Sequence, residues 1–265
     1  KKRIRVQMAD FYHSKLLSRH AKCIHAVTTK TISKPLSGSL ALHTGERKEA
    51  VLRNRYDAAN RLGLGRGYHF IVADQTHSDN IRIITRKETL GWSSAEDAIE
   101  NCDALITDQK GVALTVLTAD CVPILILDTY KEIIAAVHAG WKGTGADIAG
   151  KTIRKMGEEF GSDPDDIAAF IAPSIGRCCY EVGGEVAGHF KDEETYDRKG
   201  EKYMLDLPLI NRKQLLDAGV KSENIEMSGK CTSCEAERFF SYRKEQGCSG
   251  RFMSMIALKP YHQPG

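Results

Sequence analysis

The sequence has no apolar run near the roughly 18–20 residues of a membrane-spanning helix. Its densest apolar stretch, Val112 to Leu127, is broken by Thr118, Asp120 and Pro123. Cysteine is also scarce: eight in 265 residues fall far below the roughly 8–10% of a disulfide scaffold. A chain of this length buries about 70–75% of its unfolded surface, so its core needs no covalent staples. Charge of one sign is not in large excess, with 38 basic against 35 acidic side chains and a net charge of +3. That balance argues against a dedicated nucleic-acid binder, which carries a basic stripe. No apolar segment follows the basic start, so no secretory signal is expected. The cytoplasm is then the expected compartment, where thiols stay reduced.

Several catalytic signatures are missing: H-E-x-x-H, G-x-S-x-G, the phosphate loop G-x-x-x-x-G-K-[ST], and the zinc-deaminase combination of H-x-E with P-C-x-x-C. No H-x-H pair occurs either, although multicopper oxidases build their copper clusters from such pairs. The run Gly63-Leu-Gly-Arg-Gly67 has no helix start behind it and reads as a turn before a strand.

Residues 1–30 hold eight basic side chains against the single acid Asp10, and residues 1–23 read as a basic, solvated N-terminal extension. Beyond it, short apolar runs bounded by Gly, Asp and Pro predict strands at Ile24–Thr29, Tyr68–Ala73, Ile81–Thr85, Ala104–Thr107, Val112–Leu117, Val122–Asp128, Ile133–His138, Ile167–Ala172 and Phe252–Leu258. Helices are predicted over Glu49–Leu62, about Ala146–Phe160, Val182–Phe190 and Leu207–Ala218. Leu36–Gly45 and Lys191–Lys202 read as surface loops. No repeat or linker divides the chain, and strands and helices do not alternate cleanly. The expectation is one α+β domain over residues 1–265, with mixed β-sheets flanked by helices.

His77, Cys121 and His138 each fall at or near the end of an expected strand. Ends of neighbouring buried strands converge, so residues far apart in sequence can share one site. Two imidazoles and a thiolate suit a borderline-soft cation. Zinc takes such ligands tetrahedrally, and three of them leave a fourth position open; the same set suits copper. On spacing alone this stands level with two capping or core histidines and one buried cysteine. The segment His138-Ala-Gly-Trp-Lys-Gly-Thr-Gly145 predicts a glycine turn into a helix. Free N–H groups there, with close approach at Gly143 and the charge of Lys142, suit a phosphate or carboxylate. An ordinary strand–helix turn has the same composition.

Arg243 and Arg251 stand beside aromatics in Phe239-Phe-Ser-Tyr-Arg243 and Gly250-Arg251, an arrangement suited to anions and ring stacking, with a surface salt bridge as the plainer reading. Cys231-Thr-Ser-Cys234 looks like half of a zinc ribbon without a second C-x-x-C pair. Cys178 and Cys179 are adjacent, and Cys23, Cys102 and Cys248 read as buried fillers. All of these are read as packing residues.

Taken in order, Gln75-Thr-His77, Thr118-Ala-Asp-Cys-Val-Pro123, His138-Ala-Gly-Trp-Lys-Gly-Thr144, Ala172-Pro-Ser-Ile-Gly176 with Cys179-Tyr-Glu-Val182, and Phe240-Ser-Tyr-Arg243 resemble the multicopper-oxidase-domain, or laccase-like, family. Its bacterial members include the YlmD and YfiH proteins. The resemblance runs from about Ile24 to Leu258. Asn54-Arg55 fits the family's Asn-Arg pair, whereas Ser39 and Glu46 stand where Asn and Asp are common.

The resemblance implies a fold related to the catalytic domain of cytotoxic necrotizing factor, and a mononuclear zinc (copper being the alternative) on His77, Cys121 and His138. It also implies phosphorolysis of adenosine, inosine and S-methyl-5'-thioadenosine, with adenosine deamination as a companion activity. Phosphate would then be held by Lys142, Gly143, Arg55 and Arg243. The partners expected are purine nucleosides and phosphate, with no nucleic acid and no membrane; a homodimer is compatible with the sequence. Two other readings stand beside this one. The first is a cysteine hydrolase with Cys121 as nucleophile and His138 as base, including a hydrolase of peptidoglycan precursors. The second is a zinc-stabilised binding protein without turnover.

Overall fold

A computed structural model describes residues 11–247 and 250–260. Cys248 and residues 1–10, with much of the basic charge of the first 23, lie outside the described residues. From Phe11 onward that segment is part of the folded body. Tyr12 bridges Val27, and Leu17 is fully buried.

The apolar runs assemble into two main sheets. Cys23–Val27, Phe252–Leu258, Val112–Thr118 and His69–Val72 form a four-stranded sheet in that order, antiparallel except for the last pair. Ile225–Met227, Ile167–Ile171, Val122–Asp128, Ile133–Ala139, Ala104–Thr107 and Ile81–Ile83 form a six-stranded sheet with antiparallel pairing at its centre and a parallel strand at each edge.

Period-two alternation explains how these strands can be buried on both faces. Leu114 and Val116 of one sheet pack between the layers with Leu125, Leu127, Ala136 and Phe170 of the other. The intervening Ile124, Ile126, Ala135 and Val137 face a second core closed by the helices Ile148–Phe160 and Leu207–Asp217. Ala113, Leu117 and Met255 face a third core, covered by Ala58 and Ala59 of the helix Lys48–Arg61. The layers therefore run helix, sheet, sheet, helices, in agreement with the α+β reading.

The differences from the sequence reading fall where glycine and polar residues dominate. Val182–Phe190 is no continuous helix: Glu181–Val182 is a strand and Gly184–Ala187 a single turn, since three glycines in seven residues (Gly183, Gly184, Gly188) give little helical propensity. The polar stretch read as a loop contributes Tyr196–Lys199 to a three-stranded antiparallel sheet with Lys202–Leu205 and Glu181–Val182. The glycine turn after His138 is itself a short helix, Trp141–Gly145. Asp147 then takes a left-handed conformation, φ 61°, before Ile148–Phe160 begins. Among the described residues, no helix is long and apolar enough to cross a membrane.

Candidate active site

His77, Cys121 and His138 come together at one end of the two-sheet stack. His138 lies in the strand Ile133–Ala139, opposite Pro123 on the neighbouring strand. Cys121 lies in the connection between Val112–Thr118 and Val122–Asp128. His77 comes from the loop after His69–Val72. Their ligand atoms all lie within 4.8 Å of one another, and Cys121 Sγ is 3.7 Å from His77 Nε2.

A buried carboxylate organises this cluster. Asp103 Oδ1 accepts from His138 Nδ1 at 2.7 Å and from the His77 backbone N–H at 3.0 Å. Its Oδ2 accepts from the Ser78 hydroxyl at 2.6 Å, the Ser78 N–H at 2.7 Å and the Thr76 N–H at 3.2 Å. Burial opposes ionisation of Asp103, but the bonds from His138 and Ser78 prevail and hold its pKa at about 2. With Nδ1 held by Asp103, His138 presents Nε2 to the cluster, the usual arrangement of a metal-binding histidine. The same carboxylate holds His77 at φ 60°, a left-handed conformation that a non-glycine residue keeps only when its surroundings enforce it.

Asp120, at φ 90°, is fixed in a similar way beside Cys121. It accepts from Thr232 Oγ1 at 2.6 Å and from the Arg243 N–H at 2.7 Å. Gly140 is needed for close approach: a Cβ there would lie 2.7 Å from His77 Cδ2 and 3.3 Å from Cys121 Sγ.

Burial alone would raise the Cys121 thiol, but His138 and then His77 bring it down to about 6. Burial alone would lower His138, but the Cys121 thiolate and Asp103 carry it up to about 9. Both effects favour a thiolate on Cys121, the form a metal ion takes. A convergent pair of imidazoles and a thiolate, with one imidazole anchored from behind, fits a three-ligand zinc site and also suits copper.

The cluster forms the floor of a cavity of about 580 Å³, within the usual range for small-molecule sites. Its walls combine apolar and aromatic side chains, among them Leu42, Leu117, Ile175, Trp141 and Tyr180, with Arg243 and Arg251. Thr118 also lines it, and its buried hydroxyl has no hydrogen-bond partner among the described residues.

The expected phosphate residues divide. Arg243 lines the cavity over the Tyr180 ring, with its charge centre 5.3 Å from the centroid and Nη1 bonded to Glu181 O. Arg55 also lines it, but Nε and Nη1 are committed to the carbonyls of Leu40, Gly91 and Trp92 at 2.6–2.8 Å, which makes it a buried loop clamp. Lys142 and Gly143 are not among the lining residues of this cavity. Lys142 is exposed, its ammonium 5.6 Å from the Trp141 ring centre. A Cβ on Gly143 would meet Ser78 O at 2.9 Å, so this glycine permits backbone packing. The short helix turns its first residue, Trp141, toward the cavity instead.

Sequence reasoning missed three site residues. Asp103 opens an apolar strand with nothing local to mark it. Tyr180, whose hydroxyl is pushed up to about 12 by burial and by Cys121, and His43, whose pKa is lowered by burial and by Arg251 and Arg55, both line the cavity. Tyr180 belongs to the quoted Cys179-Tyr-Glu-Val182 motif, whereas His43 lies in the early loop between Ser39 and Glu46.

A profile of the family described as multi-copper polyphenol oxidoreductase laccase matches residues 24–259. The chain is 35% identical over 225 residues to the purine nucleoside phosphorylase YlmD of Bacillus subtilis, covering 82% of this chain and 81% of that protein. It is 36% identical over 229 residues to adenosine deaminase RL5 from an unknown prokaryotic organism, covering 83% and 87%. The crystal structure of the Bacillus licheniformis hypothetical protein YfiH superposes with a TM-score of 0.89 at 33% identity, covering 96% of this chain and 98% of that one.

Proposed function

The chain belongs to the multi-copper polyphenol oxidoreductase laccase family, and from that premise we propose that it is a zinc-dependent purine nucleoside phosphorylase. Adenosine, inosine and S-methyl-5'-thioadenosine are its substrates, with adenosine deamination as a companion activity. The observation that carries this reading is that His77, Cys121 and His138 share one cavity with Arg55, Arg243, Arg251 and aromatic walls. The names of the relatives YlmD and RL5 support it.

Phosphorolysis forms a bond from a phosphate oxygen to C1′ of the ribose and breaks the C1′–N9 bond. The electron pair of that bond passes to the purine, which takes up a proton and leaves as the free base, while the sugar keeps the phosphate. His77, Cys121 and His138 would hold a zinc ion, which would supply Lewis acidity at this end of the cavity. Arg243 and Arg251 hold the phosphate dianion, for which guanidinium forks are suited. Trp141, Tyr180 and Tyr242 line the same cavity and offer ring faces and apolar surface to the purine. Asp103 keeps His138 in one tautomer and orientation.

The test is turnover of inosine with phosphate to hypoxanthine and ribose 1-phosphate, with zinc content measured alongside, in the native chain and in His77→Ala, Cys121→Ala and His138→Ala. Loss of both zinc and turnover in the variants is expected. Full zinc and full turnover in all three would overturn the reading.

The contacts of Cys121 Sγ with His138 and, at 3.7 Å, with His77 Nε2 favour a second reading, a metal-free cysteine hydrolase with Cys121 as nucleophile and His138 as base. It requires activity in protein stripped of metal and irreversible inactivation by iodoacetamide at Cys121.

A further inference from the structure

We propose that Cys178, Cys179, Cys231 and Cys234 form a second metal site, a four-thiolate zinc centre that staples together two segments behind the cavity wall. It involves none of the residues assigned to nucleoside chemistry and does not depend on that assignment.

The four sulfurs come from two turns far apart in sequence. Cys178 and Cys179 lie in a turn after Gly176, closed by the N–H groups of Cys179 and Tyr180 donating to Gly176 O at 3.0 and 3.1 Å. Cys231 and Cys234 flank Thr232 and Ser233 in a second turn, which the Glu235 N–H closes onto Cys231 O at 3.0 Å. A parallel bridge between Ser174 and Cys231 brings the two segments together. All four sulfurs then lie within 4.8 Å of one another.

The spacing is that of ligands around a shared centre. Zinc–sulfur bonds of about 2.3 Å in a tetrahedron put neighbouring sulfurs about 3.8 Å apart. Cys234 Sγ is 3.6 Å from Cys178 Sγ and 3.5 Å from Cys179 Sγ. A disulfide would bring one pair to about 2.05 Å and leave the others out, yet Cys234 is almost equidistant from two partners, and all four cysteines are free.

Backbone donors converge on one of the sulfurs. Cys231 Sγ accepts from the Gly176 N–H at 3.3 Å and is bonded by the Ser233 and Cys234 backbones. Four thiols this close cannot all ionise unless a cation lies among them, and a divalent soft-to-borderline ion removes that repulsion. Gly176 leaves the room: a Cβ on it would sit 3.4 Å from Cys231 Cβ and 3.5 Å from Cys178 Sγ. Two sulfurs, Cys178 and Cys234, are exposed, so the ion has a path in.

The position gives the site its use. The first turn connects Ile175 to Tyr180, both lining the cavity, and Ile175 N–H is bonded to Asp120 O at 2.9 Å. The second turn carries Thr232, whose hydroxyl holds the Asp120 carboxylate. A metal joining these turns fixes the wall next to Cys121 without contributing to its chemistry.

The test removes the first cluster and examines the second. His77→Ala/Cys121→Ala protein, purified under reducing conditions and supplied with zinc, is expected to retain one zinc per chain, against two in the native chain. Zinc-edge X-ray absorption of this variant is expected to show four sulfur neighbours at about 2.3 Å. Adding Cys231→Ser/Cys234→Ser should remove that zinc. No zinc in His77→Ala/Cys121→Ala, or a shell dominated by nitrogen and oxygen, overturns the proposal, as does zinc retained after the two serine substitutions. Should the four-substitution protein fail to fold, the stoichiometry and shell of His77→Ala/Cys121→Ala decide alone. Neither readout uses nucleoside turnover, so failure here and failure of the phosphorylase reading are told apart.

Discussion

The carboxylate of Asp103 and the imidazole of His138 meet at 2.7 Å, and the same oxygen takes the His77 N–H at 3.0 Å. One buried side chain thus orients one ligand through its ring and another through its backbone. Asp103→Asn keeps the shape but removes the charge behind His138. Metal affinity should fall about 10–100-fold, as for other groups behind a ligating histidine, measured by competition with a chromophoric chelator. Unchanged affinity would mean that Asp103 serves only the fold.

Gly140→Ala places a methyl 2.7 Å from His77 Cδ2 and 3.3 Å from Cys121 Sγ. At that distance the His77 ring must shift away from its present position beside Cys121. Zinc content and turnover should drop together while the far-ultraviolet dichroism stays native. Full occupancy in this variant would show that His77 can swing aside freely.

Arg251→Ala removes a guanidinium from the cavity wall without touching the three candidate ligands. If it holds phosphate, a charge-assisted bond of about 1.5–3 kcal/mol is lost, and the KM for phosphate rises about 10–100-fold. The KM for inosine should change far less. Steady-state kinetics at saturating inosine, varying phosphate, measures this; an effect confined to inosine would move Arg251 to the nucleoside side of the site.

His25 offers a pH prediction away from the cavity. Its ring is buried, and Nε2 lies 2.9 Å from Ser14 N and 3.2 Å from Ser14 O. Burial first, then the charge of His13, lower its pKa to about 4, against opposing effects of the Ser14 backbone bond and Glu226. The folded value lies below the ordinary value of 6.5, so the unfolded chain takes up the proton first as pH falls. Stability is intact above about pH 6.5 and is lost progressively toward pH 4, by an amount on the order of 3 kcal/mol. Denaturant melts of native protein and His25→Gln across this window check it: the pH dependence should flatten in the variant.

The candidate site was partly legible in sequence because its ligands lie in or near strands with strong apolar patterning. His138 follows Ile133–Val137, and Cys121 precedes Val122–Asp128. Lys142 and Gly143 read as a plausible anion site, yet the chain becomes helical at once, Gly143 packs on Ser78 O, and Lys142 stays outside the cavity lining. Composition alone does not distinguish a glycine that cradles an anion from one that lets two backbones touch. Arg55 reaches the cavity wall, but it spends Nε and Nη1 on the carbonyls of Leu40, Gly91 and Trp92.

The sequence by itself determined what is local and periodic. It determined the doubly buried strands, the helices Lys48–Arg61 and Leu207–Asp217, and the ligand chemistry that two histidines and a cysteine can offer. Only the tertiary structure decided which distant groups meet. Asp103 reaches His138 because Ala104 pairs with Val137 across two strands. Cys178–Cys179 reaches Cys231–Cys234 because Ser174 bridges Cys231. Pairing register and layer packing are collective properties of the whole chain, set by burying many apolar side chains at once. A lone aspartate or two separated cysteine pairs carry no local trace of the partners that register will give them.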